Sequence, residues 1–217
     1  MGTITRSFAN NITTSGVLLP ASLTNNSIAN VTAYNAAIAT GGMKLISSQT
    51  ASNSASLSFT TGLDSTYKEY QFWFIDIHAR TDNVNFTFNM STDSGSNYNV
   101  TKTTTSFVAY HDEADTTPAL TYSAGTDLAQ STAFQIISDA LGDVSDENLV
   151  GTLQLFNPSS TTYVKHFISS INTNSYHNYS INYLLAGYGN TTSAINAVQF
   201  KMNSGNFDGT ILMFGIV

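Results

Sequence analysis

The chain has 217 residues, a net charge of −7, no cysteine, and only 10% charged residues, against the quarter that is typical of soluble domains. The lack of cysteine excludes disulfides, thiolate metal sites and cysteine nucleophiles. The acidic balance without a Lys/Arg-rich run argues against nucleic-acid binding, and no apolar run approaches the ~18 residues of a membrane-spanning helix.

The first part of the chain differs from the rest. Residues 1–42 contain one charged residue and only short apolar groups, which predicts an extended N-terminal arm that becomes ordered on a partner. A disordered leader is the alternative, and residues 27–39 carry a weak helical pattern. The opening MGTITRSF lacks the apolar centre of a signal peptide, so we expect synthesis in a reducing cytoplasm. The residues expected to contact the partner are Phe8, Ile12, Val17, Leu18 and Leu19.

Residues 43–217 show the pattern of strands and turns. Leu57 and Phe59 alternate with Ser and Thr, as in a half-buried strand. Residues 111–148 are less regular and are predicted to be a polar insertion or long loop. The other predicted strands lie at residues 70–77, 84–90, 98–110, 149–156, 161–170, 179–186, 195–202 and 209–217. About nine or ten strands at this spacing predict an all-β domain, an antiparallel, jelly-roll-like β-sandwich.

The segment EYQFWFIDIH at residues 69–78 is apolar on both faces, whereas a half-exposed strand alternates apolar with polar residues. The two faces carry Tyr70, Phe72 and Phe74 on one side, and Trp73, Ile75 and Ile77 on the other. The terminal segment ILMFGIV, residues 211–217, is also apolar on both faces. Residues 111–148 of the same chain, the N-terminal arm or a neighbouring subunit would cover the second faces, and subunit association explains both strands and the arm. The predicted subunit interface comprises Trp73, Ile75, Ile77, Met213 and Ile216.

Eight of the fourteen acids lie in residues 112–147. A solvated loop is favoured over a calcium site, because the EF-hand spacing is missing; the candidate ligands of an ion are Asp139, Asp143 and Asp146. Paired acids here would also be the first suspects of a glycoside hydrolase. Asp76 stands between isoleucines and is expected to pair with a His or Lys across the sheet.

No catalytic or cofactor motif appears in the sequence. The four histidines form no H-x-H or HExxH pair, and no P-loop, nucleophile elbow or dinucleotide fingerprint is present. We therefore predict no enzymatic activity, no metal and no cofactor. Tyr176 and Tyr188, which lie beside Asn, Ser and Gly, are candidates for contact with glycans or with protein, although tyrosines at a sheet edge look the same.

Several stretches carry a resemblance to a known group of proteins. They are MGTITRSFANNITTSG, LISSQTASNSASLSFTTGLDSTYKEYQFWFIDIH, STDSGSNYN, LFNPSSTTYVKHF and VQFKMNSGNFDGTILMFGI. Together they resemble small virion surface proteins of marine tailed bacteriophages, which include head-decoration and tail-fibre-like structural proteins. The resemblance implies a β-sandwich or jelly-roll head, a non-enzymatic role and symmetric assembly, often as trimers.

The leading hypothesis is a structural protein of a phage virion, assembled in the host cytoplasm, that contacts capsid or tail proteins by its arm and sister copies by its sandwich. The low content of charged residues agrees with contacts that contain few ion pairs, and salt does not weaken such contacts. A receptor-binding fibre tip that recognises host surface glycans is the alternative. A polysaccharide depolymerase is the third hypothesis.

Overall fold

The computed structural model describes residues 42–217 and two short strands before them. The chain divides into two compact units, Met1–Gly41 and Gly42–Val217. In the first unit, β1 (Ile12–Thr13) pairs antiparallel with β2 (Gly16–Val17). The side chains of the predicted arm contacts and the weak helical pattern at residues 27–39 lie outside the described residues, so these expectations stay predictions.

The second unit is built of strands, as its content of β-branched and aromatic residues predicts. They are β3 (Met43–Ser54), β4 (Leu57–Phe59), β5 (Glu69–Ala79), β6 (Val84–Ser91), β7 (Lys102–Asp112), β8 (Ala119–Tyr122), β9 (Gln135–Leu141), β10 (Leu149–Phe156), β11 (Lys165–Asn174), β12 (Tyr179–Gly189), β13 (Ala197–Met202) and β14 (Phe207–Ile216). Residues 42–217 contain no helix, and within the described part of the chain no helix is long and apolar enough to cross a membrane.

Two antiparallel sheets form the unit, which confirms the predicted β-sandwich. The large sheet has eight strands in the order β3-β14-β5-β10-β11-β12-β7-β8, and the small sheet has four in the order β4-β13-β6-β9. Alternation along the strands sends every second side chain into the space between the sheets.

Phenylalanines dominate the core between the sheets. Phe200 of β13 lies at its centre, with ring centroids 5.2 Å from both Phe72 and Phe74. Phe59 and Phe86 also pack on Phe200, at 6.1 Å each. Aromatic pairs at such distances add about 0.5–1.5 kcal/mol each beyond area burial, so this cluster fixes the small sheet on the large one.

Residues 111–148 hold more regular structure than the sequence predicts. They contain the edge strand β8 and also β9, which pairs with β6 in the small sheet. Strand β9 was missed because only Ile137 and Leu141 mark its apolar face, and the polar Gln135 and Ser138 are also buried. Buried hydrogen bonds, such as the one from Thr104 Oγ1 to Gln135 Oε1 at 2.8 Å, satisfy these polar side chains in the core. The strand therefore needs no continuous apolar face, and the sequence shows none.

Strand β5 contains a bulge that changes which residues face the core. Asp76 has a φ of +49°, and the pairing with β14 shifts between Asp208 and Thr210. This extra residue turns Ile77 inward, where it is 0% exposed. The assignment of Ile77 to a subunit interface was therefore wrong. The exposed Asp76 contacts Asn148 rather than a His or Lys within the described residues.

The terminal strand β14 alternates without interruption from Ile211 to Ile216. Met213 points inward and is 0% exposed, so its assignment to the subunit interface was also wrong. Met213 and Ile216 are an odd number of positions apart, and an unbulged strand cannot present both on one face. Leu212 and Phe214 are the neighbours of Ile216 on the outward face.

Candidate functional site

The outward face of the large sheet, here called the open face, carries most of the exposed large hydrophobic residues in the described part of the chain. Thirteen large hydrophobic residues are exposed, and ten of them point outward from this sheet. These ten are Met43, Leu45, Trp73, Ile75, Phe107, Leu120, Tyr122, Val150, Ile168 and Leu184. A clustered patch of this kind typically marks a site of interaction.

The open face is almost free of charge away from the strand ends. Between Gln71 and Ile75 of β5, and at the outward positions of β10, β11, β12 and β7, no Lys, Arg, Asp or Glu occurs. Glu69 lies at one rim and the Arg80–Asp208 ion pair lies at the other. At Tyr122, the hydrogen bond to Asp127 raises the pKa of the phenol.

One half of the open face carries a pair of adjacent, partly exposed aromatic rings. Trp73 of β5 and Phe214 of β14 lie with ring centroids 5.2 Å apart, and Leu212 is paired with Trp73 across the same two strands. Trp73 is 38% exposed. We call Trp73 and Phe214 the aromatic knob.

The other half contains two open depressions of about 460 Å³ each. The first, called the Ala186 depression, forms where the small Ala186 lies between larger neighbours on β11, β12 and β7. Its walls include Thr103, Thr105, His166, Ile168 and Tyr188. The second lies over Ala109 and is bounded by Leu120 and Asn172. Leu184 and Phe107, which pair across β12 and β7, separate the two depressions.

Two hydroxyl groups, those of Thr152 and Ser170, lie between the two halves. Trp73, Thr152, Ser170 and Leu184 form one row across β5, β10, β11 and β12. Three strand spacings put the strands of Trp73 and Leu184 about 14 Å apart. Along this row the face therefore presents the knob, two hydroxyl groups and the half that contains the depressions, in that order.

Trp73, Ile75 and Ile216 of the predicted interface lie on the open face, whereas Ile77 and Met213 lie in the core. Residues 111–148 leave Trp73 and Ile75 38% and 39% exposed. The alternative in which this segment covers both strands is therefore not observed. The sequence prediction missed Leu212 and Phe214 as residues of this face. Both lie an even number of positions from Ile216, and that spacing was the signal that could have found them.

The two candidate glycan-contact tyrosines lie at opposite ends of β12. Tyr176 is in the turn before the strand, with its ring centroid 3.8 Å from that of His177. Tyr188 is near the end of the strand, with its ring 6.0 Å from His166, in the wall of the Ala186 depression. They do not form one site together.

The predicted calcium ligands are not brought together. Asp139 accepts a hydrogen bond from the Tyr183 hydroxyl, and burial raises the pKa of that Tyr183 phenol. Among the described residues, the carboxylates that could hold a cation are Asp82, Asp143 and Glu147, with oxygens within 4.8 Å of one another. Glu147 accepts a hydrogen bond from the Val144 amide, and no other feature there points to an ion.

Comparison with protein-family models, with curated proteins and with solved structures finds no match.

Proposed function

We propose that this chain is a non-enzymatic structural protein of a tailed-phage virion, a capsid-decoration or fibre-like surface protein that assembles as a homo-oligomer, most simply a trimer. The sequence resemblance supports the location in a virion and the assembly as a trimer. The open face supports assembly, because a folded chain that works alone gains nothing from ten exposed large hydrophobic residues on one sheet.

The neutrality of the open face is the observation that carries this proposal. Copies with a net charge of −7 repel one another at most of their surface, and the open face is where that repulsion is least. Structural proteins of a particle associate permanently, and permanent interfaces are apolar, like the core of a domain.

The N-terminal arm supplies the second contact in this proposal. Residues 1–42 dock on a capsid or tail protein through Phe8, Ile12, Val17, Leu18 and Leu19, and residues 43–217 form the exposed head. The protein is made in the host cytoplasm and then becomes part of the virion. It needs no cofactor for this role.

Deletion of residues 1–40 tests the role in the particle. The truncated head should fold and keep its oligomeric mass, because the open face lies in residues 42–217, but it should be missing from purified particles. Incorporation would be measured by quantitative mass spectrometry against a full-length tagged control. Normal incorporation of the truncated chain would refute docking by the arm.

A second candidate function is a receptor-binding tip, favoured by the Ala186 depression. Tyr188, His166 and the Thr103 hydroxyl around a shallow hollow suit a pyranose ring, which takes an aromatic surface and nearby hydrogen bonds. A glycan array and host adsorption would be measured with Tyr188→Ala, and with Tyr176→Ala as the comparison. Specific binding lost in Tyr188→Ala alone supports this role; no binding by the wild type excludes it.

A further inference from the structure

We infer that the partner on the open face is a second copy of this chain, with the aromatic knob of one copy inserted into the Ala186 depression of the next. This inference rests on the proposed function, because it takes assembly as the role of the open face. It names the occupant of the face and the residues on each side of the contact.

Shape is the first argument for this pairing. Trp73 and Phe214 lie side by side on the outward surface of β5 and β14, with Trp73 partly exposed, while the hollow of about 460 Å³ lies over β11, β12 and β7 of the same sheet. Packing knob against knob would hold two sheets apart and leave both hollows unfilled. Packing knob into hollow buries indole and phenyl surface, at about 25 cal/mol per Å².

Polarity is the second argument. The wall of the depression is apolar at Ile168 and Ala186 and carries hydroxyls at Thr103 and Thr105. The indole N–H of Trp73 therefore meets possible acceptors there, and a buried indole normally finds one. No Lys, Arg, Asp or Glu lines the depression, so an acidic copy meets no added repulsion on docking.

The size of the open face agrees with a protein partner. Eight strands at about 4.8 Å spacing and four outward rows give roughly 900 Å² per copy. A stable interface takes about 800 Å² from each partner. In a ring, each copy gives about half of this area, roughly 450 Å², to each of two neighbours. The closed ring, rather than a single contact, therefore buries the area of a stable interface.

A ring of three needs a heterologous contact, in which each copy inserts its knob into the next copy and receives the knob of the copy before it. Such contacts either close into rings or continue as filaments. A closed ring of three gives every knob a depression and leaves neither patch exposed. A two-fold axis is the other closure, and it gives an isologous dimer in which the knob of each copy enters the depression of the other.

The experiment uses two variants of the full chain, each damaged on one side of the contact. Trp73→Ala removes the knob, and Ala186→Trp fills the depression. We expect each variant alone to lose association by about thirty-fold or more, as at an interface hot spot. When the two are mixed, the intact knob of Ala186→Trp enters the intact depression of Trp73→Ala, and a 1:1 heterodimer forms. Native mass spectrometry measures the masses.

Two control variants carry the same substitutions away from the open face. Tyr163→Ala removes an aromatic ring that is 69% exposed in a loop, and Ala114→Trp adds an indole in the exposed turn after β7. Both should assemble as the wild type does. Circular dichroism verifies folding, and Thr105→Trp, from another wall of the depression, replaces Ala186→Trp if that chain does not fold.

Three results overturn the inference: a wild-type chain that stays monomeric at high concentration, a folded Ala186→Trp that assembles normally, or two monomeric variants that do not combine. In the last case the knob packs on some other patch. These masses are measured on isolated protein, so they are independent of particle incorporation. A heterodimer without incorporation keeps this inference and removes the virion role.

Discussion

Two lysines at one end of the sandwich are fully buried, and neither forms a salt bridge within the described residues. Lys102 and Lys165 flank Gly189 in the large sheet. Lys102 Nζ donates to Asn89 Oδ1 at 2.6 Å and to the Val100 carbonyl at 2.8 Å. Burial lowers the pKa of Lys102 to about 7, because a charged amine is costly away from water. Lys165 Nζ likewise donates to the Tyr163 and Thr191 carbonyls, so each lysine connects loop backbone to the end of the large sheet.

Lys102 should make the free energy of unfolding rise with pH. Its pKa is about 7 in the folded chain against an ordinary value of 10.5, so the unfolded chain binds more protons between these values, and unfolding becomes harder as pH rises. From pH 7 to 9.5 the gain is about 3 kcal/mol. Urea unfolding should show this slope in the wild type and in the exposed-site control Lys68→Met. The slope should be clearly smaller in Lys102→Met, where Lys165, whose pKa burial also lowers, contributes the remainder. Equal slopes in all three would refute it.

At the scale of elements, the bulge in β5 is built from residues on three strands. Asp76 adopts the left-handed conformation, and Gly209 of β14 has a φ of +123°. A Cβ on Gly209 would lie 2.6 Å from the Asp76 carbonyl oxygen. Gly151 of β10 is equally restricted, since a Cβ there would lie 2.3 Å from the Ser170 carbonyl oxygen. Glycine is needed where the backbones approach this closely.

Gly209→Ala should destabilise the fold by about 2 kcal/mol or more, because both the backbone conformation and the contact with Asp76 become strained. The control is Gly125→Ala, where an added Cβ meets nothing within 4 Å. Chemical unfolding midpoints measure the difference. A Gly209→Ala chain as stable as the Gly125→Ala control would show that the bulge tolerates a side chain.

The sequence predicted the sandwich and most of its strands, because inward apolar and outward polar residues alternate along a regular strand. It misplaced Ile77 because one left-handed residue shifts every later side chain to the other face. Asp76 within an apolar run was the available signal. Strand β9 lacked a continuous apolar face, and the depression over Ala186 depends on neighbours in β11 and β7 that are distant in sequence.

For the whole molecule, the imbalance between the sheets is the dominant feature. Within residues 42–217, the four-stranded sheet packs on one face of the eight-stranded sheet, and no strand of that unit covers the other face. The open face is neutral, while the net charge of the chain is −7. In the proposed assembly, apolar burial at the open face would drive association against a background of weak repulsion between copies.

Association should not weaken as salt is raised from about 0.05 to 1 M, because no ion pair is broken and screening reduces the repulsion between copies. Sedimentation velocity across a salt series measures the dissociation constant. An interface of ion pairs would instead weaken by about tenfold or more. That outcome would place the contact at the charged rims rather than at the neutral centre.

The bulge in β5 has a geometric consequence for any larger architecture. A bulge increases the local twist of its strand, and Trp73 lies three residues before Asp76 on the same strand. In the proposed assembly, three-fold closure and an endless fibre differ only in the rotation between successive molecules. A substitution near Asp76 that preserves folding but changes the direction of the indole should therefore convert discrete particles into filaments visible in negative stain.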